Sequence, residues 1–125
     1  MSASIFVVDD DPDVRESLAD LLVDEGYTVA VAADGEEALA RLRSGLHVDL
    51  VLLDVRMPKK SGLQVLVALQ ASPQMAQVPV LLMSAEFDGA IAPGALAWMA
   101  KPFEPAALLA MISKHLAQAE QRRTA

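Results

Sequence analysis

VLLDVRMPKKSG, residues 51–62, joins an aliphatic run to a lone carboxylate and then to a Met57-Pro58 and Ser61-Gly62 turn. Val51, Leu52 and Leu53 read as a strand buried on both faces, because a strand covered on each side can be aliphatic at every position. An isolated charge in a dry site is costly unless something pairs with it. Asp54 therefore either emerges at the strand's end or belongs to a site.

Outward from that stretch the chain alternates between short apolar runs and amphipathic ones. Ser4 to Val8 is a strand running into Asp9-Asp10-Asp11. A helix follows, with Asp11 as N-cap, Pro12 at the first helical position, Val14, Leu18, Leu21 and Leu22 as its apolar face, and Gly26 closing it. Thr28 to Ala32 is a second strand. Asp34-Gly35 opens a helix with Glu36 and Glu37 in its first turn and Arg41 and Arg43 in its last, the charge order that the helix dipole favours. Asp49 to Leu53 is strand three, Gly62 to Ala71 a helix with Leu63, Leu66 and Leu69 as its stripe, and Val80 to Met83 strand four. Leu96 to Met99 is a short fifth strand, and Glu104 to Gln121 the last helix, with Leu108, Leu109, Ile112, Leu116 and Ala119 on one face. Strands alternating with helices imply an α/β fold, a parallel sheet covered on both faces.

Composition bounds the function. At 125 residues the chain has the size of one domain, with a core expected over residues 4–120 and a frayed tail at 121–125. Hydrophobic residues make up 54%, which argues against disorder, and no apolar run approaches the roughly 18 residues of a membrane span. The absence of cysteine excludes disulfides and thiolate metal sites and fits a cytoplasmic address. A formal net charge of −7 argues against direct binding of nucleic acid and suits solubility or a divalent cation. His47 and His115 match no metal-ligand spacing and read as surface residues, Lys59-Lys60 as a solvated turn, and the six methionines as core filler.

In open α/β sheets, ligands bind beyond the carboxyl ends of the strands. Strand one delivers Asp9 and Asp10 there, strand three Asp54, strand four Ser84, and strand five Lys101 after Trp98-Met99-Ala100. Three carboxylates, a hydroxyl and an ammonium converge on one rim. Phosphoryl transfer suits that set, because it needs positioning and neutralisation of oxygens more than covalent help. A carboxylate is also a competent nucleophile toward phosphorus.

The runs VVDDDP, LLDVRMP with Ser61-Gly62, LLMSA and AKPF, in that order, resemble the receiver domain of bacterial two-component response regulators, over residues 4 to about 120. The resemblance implies a three-layer, flavodoxin-like (βα)5 domain with a parallel five-stranded sheet in the order 2-1-3-4-5. It implies a histidine kinase or phosphotransfer protein that donates a phosphoryl group to Asp54, and an unknown downstream protein that reads the result. Asp9, Asp10, Asp54 and the backbone carbonyl of Arg56 correspond to the Mg2+ (or Mn2+) ligands. Ser84 corresponds to the switch hydroxyl, Trp98 to the switch aromatic, and Lys101 to the phosphate-contacting lysine, whose bond to Pro102 is cis in relatives. Arg56 and Glu86 stand where relatives tune the access of hydrolysing water, and opposite charges there are expected to pair over the site.

Two features depart from the family or compete with it. Ser84 and Lys101 are 17 positions apart, about five fewer than in relatives, so the fourth helix should be short or absent. A small phosphatase using Asp54 as nucleophile is the alternative activity. Enzymes of the haloacid-dehalogenase type want a second Asp two residues later, where this chain has Arg56. A non-phosphorylated receiver acting as an interaction module is a further alternative, disfavoured because every site position holds a workable residue. The expected product is therefore a signalling domain rather than a turnover enzyme.

Overall fold

The computed structural model describes residues 3–85 and 94–124. The elements run β1 (Ser4–Val8), α1 (Pro12–Asp24), β2 (Thr28–Ala32), α2 (Gly35–Arg43), β3 (Leu50–Asp54), α3 (Gly62–Ala71), β4 (Val80–Ser84), β5 (Ala97–Ala100) and α4 (Pro105–Thr124). All five strands are parallel, in the order β2-β1-β3-β4-β5. The parallel sheet is the one expected from strands alternating with helices, and its order is the flavodoxin-like one that the receiver resemblance implies.

The two-residue period of a strand sends alternate side chains to opposite faces, and two separate cores result. Phe6, Val8, Val51, Leu53, Val80 and Leu82 face α2 and α3. Ile5, Val7, Leu50, Leu52, Leu81 and Met83 face α1 and α4. Every residue of β3 and β4 is buried, which explains why both are apolar up to their last residues, Asp54 and Ser84. Met75, Met83 and Met99 fill gaps in these layers.

The helix starts are written in the caps. Asp11 accepts hydrogen bonds from the Asp13 and Val14 amides, with Pro12 behind it at the first helical position. Asp34 accepts from the Glu37 amide, while the Glu37 carboxylate accepts from Ala33 N at 2.6 Å. Ser61 and Gln64 form a reciprocal capping box at the start of α3. Gly26 ends the first helical segment with φ of +96°, a conformation that costs a residue bearing Cβ.

Several details differ from the sequence pattern. Leu63, assigned to the buried stripe of α3, is 40% exposed, and the buried face is Gly62, Val65, Leu66 and Leu69. Gly62 packs against the end of β3, and Leu63, the next residue round the helix, falls on the exposed side. Helix α4 runs to Thr124, past Gln121, since no Gly or Pro interrupts its good helix formers. His47 is exposed as expected, whereas His115 is half-buried on α4. No helix lies between β4 and β5 among the described residues, in keeping with a short or absent fourth helix; residues 86–93, Glu86 among them, lie outside the described set.

Candidate functional site

The strand ends are adjacent in register: Val8 beside Leu53, Asp54 beside Met83, and Ser84 beside Ala100. Four neighbouring strands therefore present their next residues to a single rim. Asp9 is fully buried, Asp54 is 5% exposed and Ser84 2%, while Asp10 is exposed. One carboxylate oxygen from each of Asp9, Asp10 and Asp54 lies within 4.8 Å of the others. Lys101 Nζ is 2.6 Å from Asp9 Oδ2 and 3.4 Å from Asp54 Oδ1.

Each group is held from behind. Asp9 N donates to Ala32 O of β2 at 3.2 Å, and Asp9 Oδ1 accepts from Asp11 N at 3.0 Å. The Lys101 amide donates to Ser84 O at 2.8 Å, which fixes the two strand ends together, and the Lys101-Pro102 peptide is cis. Val55 N donates to Met83 O, and Val55 O accepts from Gly62 N at 2.8 Å, closing the loop that carries Arg56. A Cβ on Gly62 would run into the Asp54 carbonyl oxygen, so this close approach requires glycine.

Residues 5–113 match the family model described as the response regulator receiver domain. The chain belongs to that family. It is 37% identical over 125 residues to the DNA-binding response regulator MtrA of Mycolicibacterium smegmatis, covering 96% of this chain and 53% of MtrA. It is 42% identical over 113 residues to the transcriptional regulatory protein CpxR of Escherichia coli, covering 86% of this chain and 47% of CpxR. The chain thus spans about half the length of the curated relatives it matches. Among solved structures, the chemotaxis response regulator CheY4 of Vibrio cholerae superposes with a TM-score of 0.85 at 32% identity, covering 92% of this chain and 99% of that one.

The electrostatics of this receiver follow from packing acids into a half-dry rim. Burial pushes the Asp54 carboxyl up to about 6, and the neighbouring Asp9 charge adds to the rise, against the pull of Lys101. Burial alone would lower Lys101, but its hydrogen bond to Asp9 and the charges of Asp9 and Asp54 leave it raised. A compact set of hard oxygen donors with one exposed member is what Mg2+ accepts, since it favours a few carboxylates and keeps several waters. The donor set fits that ion.

Trp98 lies on β5 beside Leu82 and packs, half-buried, against the core between the sheet and α2 and α3. Arg56 is exposed. Its expected pairing with Glu86 falls on a residue outside the described set. An apolar groove of about 530 Å³ opens beside the site between Val14, Leu18 and Leu21 of α1 and Lys101, Phe103 and Pro105. A cavity of about 620 Å³ near His47, Pro79 and Ala119 lies at the opposite ends of the strands, away from the carboxylates.

Sequence reading missed two supports. Arg15 Nη1 donates to the Asp9 carbonyl at 2.8 Å, and Lys59, taken as solvated, stands 3.6 Å from Asp34 Oδ2 with φ of +67°. Arg15 sits four residues after the capping Asp11, and helical side chains lean back toward the N-terminus. That spacing was the available signal. The Lys59 contact joins two loops distant in sequence and left no comparable pattern.

Proposed function

We propose that this receiver takes a phosphoryl group onto Asp54 from the phosphohistidine of a histidine kinase or phosphotransfer protein. An Asp54 oxygen attacks phosphorus while the phosphorus–nitrogen bond breaks; the bonding pair leaves with the donor imidazole, and an acyl phosphate remains. The gathering of the Asp9, Asp10 and Asp54 oxygens within 4.8 Å, with the Lys101 ammonium between two of them, carries this reading.

Asp9, Asp10, Asp54 and the Arg56 carbonyl would hold Mg2+ or Mn2+, which supplies the positive charge that three carboxylates and a phosphoryl group need. Lys101 has three donors. It can keep its bond to Asp9 and give another to a phosphoryl oxygen on Asp54. The Ser84 hydroxyl donates to a second phosphoryl oxygen, a bond available only after transfer. Since Ser84 O already holds the Lys101 amide, movement of Ser84 shifts the end of β5 and with it Trp98. The donor rests in the groove that Lys101 also lines, because that apolar surface adjoins the carboxylates.

The cycle ends in signalling rather than product release, and Arg56 tunes hydrolysis of the acyl phosphate. With a net charge of −7, this chain controls a partner protein or another segment rather than gripping DNA itself. Among the described residues, no helix is long and apolar enough to cross a membrane.

Incubation with Mg2+ and acetyl phosphate, followed by intact mass measurement, tests the reading. Wild type should gain one phosphoryl mass and Asp54→Asn none. Equal labelling of both would sink the assignment.

A further inference from the structure

We infer that Arg15 is a positioning residue for the divalent-cation site, acting through the peptide that joins two of its acidic ligands, Asp9 and Asp10. The inference rests on the metal reading above and concerns a residue outside the acid cluster.

Three of Asp9's polar atoms are engaged within or beside the acid cluster: its amide with Ala32 O, Oδ1 with Asp11 N, and Oδ2 with Lys101 Nζ. The remaining polar atom is the carbonyl oxygen, which accepts from Arg15 Nη1 at 2.8 Å. That oxygen lies in the same rigid plane as the Asp10 amide. Fixing it fixes the direction in which the Asp10 Cα leaves the turn, and so the aim of the exposed carboxylate. Asp9 is fully buried and pinned at both carboxylate oxygens, whereas Asp10 is exposed. Asp10 is therefore the ligand whose placement depends most on its backbone.

Arg15 is half-buried on α1, itself anchored by Asp11, whose carbonyl accepts the Arg15 amide at 2.9 Å. The helix, its cap and the guanidinium form one frame around the Asp9-Asp10 turn. A cation beside a cation site has two opposing effects. Its charge repels Mg2+, and its hydrogen bond orders the ligands that attract it. On this inference ordering dominates, because the guanidinium Nη1 is engaged by the Asp9 backbone carbonyl.

The two effects predict opposite signs. Calorimetric Mg2+ titration of wild type, Arg15→Met and Arg15→Lys separates them, with melting in EDTA as the check on folding. Loss of an outer support for a metal ligand typically weakens binding about 10- to 100-fold. Arg15→Met should bind at least about 10-fold more weakly than wild type, with Arg15→Lys between them. Binding by Arg15→Met as tight as wild type, or tighter, overturns the inference while leaving the acid site intact. No uptake by wild type would instead remove the site reading on which it stands. Should Arg15→Met fail to fold, Arg15→Lys decides the matter, since it keeps the charge: weaker binding supports positioning, and an unchanged Kd refutes it.

Discussion

Lys101 and Asp9 form the shortest ion pair of the site, Nζ to Oδ2 at 2.6 Å, while Asp54 stands 3.4 Å from the same nitrogen. The lysine thus serves the fully buried acid first and reaches toward the expected phosphoacceptor second. This ordering makes Lys101 a structural counter-charge, whatever contact with a phosphoryl group is proposed for it. Removing one partner of a buried pair costs about 3–5 kcal/mol, because the other charge is left uncompensated. Lys101 is partly exposed, so Lys101→Met should lose about 2–3 kcal/mol in EDTA, near or below the low end of that range. Mg2+ should narrow the gap by replacing the missing positive charge. Denaturant unfolding with and without Mg2+ measures both effects. Equal stability of wild type and Lys101→Met in EDTA would show that Asp9 does not depend on this lysine.

Asp54 makes the stability of the metal-free protein fall with rising pH. Its carboxyl titrates near 6 in the fold against 3.8 when unperturbed, so between those values the native state binds more protons than the unfolded one. Stability is then lost as pH rises through that window and stays flat above it. A shift of about two units corresponds to about 3 kcal/mol, and partial solvation of the rim reduces this to about 1–2 kcal/mol. Asp54→Asn should remove the slope and be the more stable protein at pH 7.5 in EDTA. Denaturation midpoints from pH 4 to 8 provide the check. A wild-type curve that rises with pH from 4 to 6, with Asp54→Asn rising in parallel, would contradict it.

The strand ends were legible because buried strands are uniformly aliphatic and a carboxylate interrupts that pattern. That pattern alone puts Asp9, Asp54, Ser84 and Lys101 on one rim. The caps at Asp11, Asp34 and Ser61 were equally local, written in residues three or four apart. The rotation of α3 was not. Leu63 and Val65 are both apolar, and which is buried depends on how α3 packs on the sheet, with Gly62 against the end of β3. The same holds for Arg15 against Asp9 and Lys59 against Asp34, where distance between loops makes the contact. The raised carboxyl of Asp54 was also beyond sequence, because its first cause is burial.

Gly62 offers a test in which helix propensity and packing disagree. At the first position of a helix, alanine in place of glycine would ordinarily help by up to about 1 kcal/mol. Here the added Cβ would meet the Asp54 carbonyl oxygen and approach Val55 Cα to 2.9 Å, both rigid backbone. Overpacking of this kind costs about 1–3 kcal/mol. Gly62→Ala should therefore be destabilised by about 1–2 kcal/mol and should label more slowly with acetyl phosphate, since Asp54 is displaced. A Gly62→Ala protein as stable as wild type, with normal labelling, would mean that the contact relaxes without consequence.

Lys59 carries the one non-glycine residue with positive φ among the described residues, at +67°. A side chain with Cβ in the left-handed region is disfavoured by about 1–2 kcal/mol relative to its ordinary conformations. Its compensation is the contact with Asp34 at 3.6 Å, but Lys59 is 59% exposed, and such pairs contribute about 0–1 kcal/mol. Glycine removes the backbone strain, loses the ion pair and adds flexibility to the unfolded chain, a further cost of about 0.5–1 kcal/mol. The balance leaves Lys59→Gly within about 0.5 kcal/mol of wild type. Lys59→Asn, which tolerates the left-handed region without the full entropy of glycine, should come out about 0.5 kcal/mol more stable than Lys59→Gly. Salt separates the contributions: raising ionic strength should weaken wild type relative to both variants, because only wild type holds the screened pair. If both variants lose about 2 kcal/mol or more, beyond the roughly 1 kcal/mol that an exposed pair contributes, Lys59 anchors the loop through more than its contact with Asp34, and the strain argument fails.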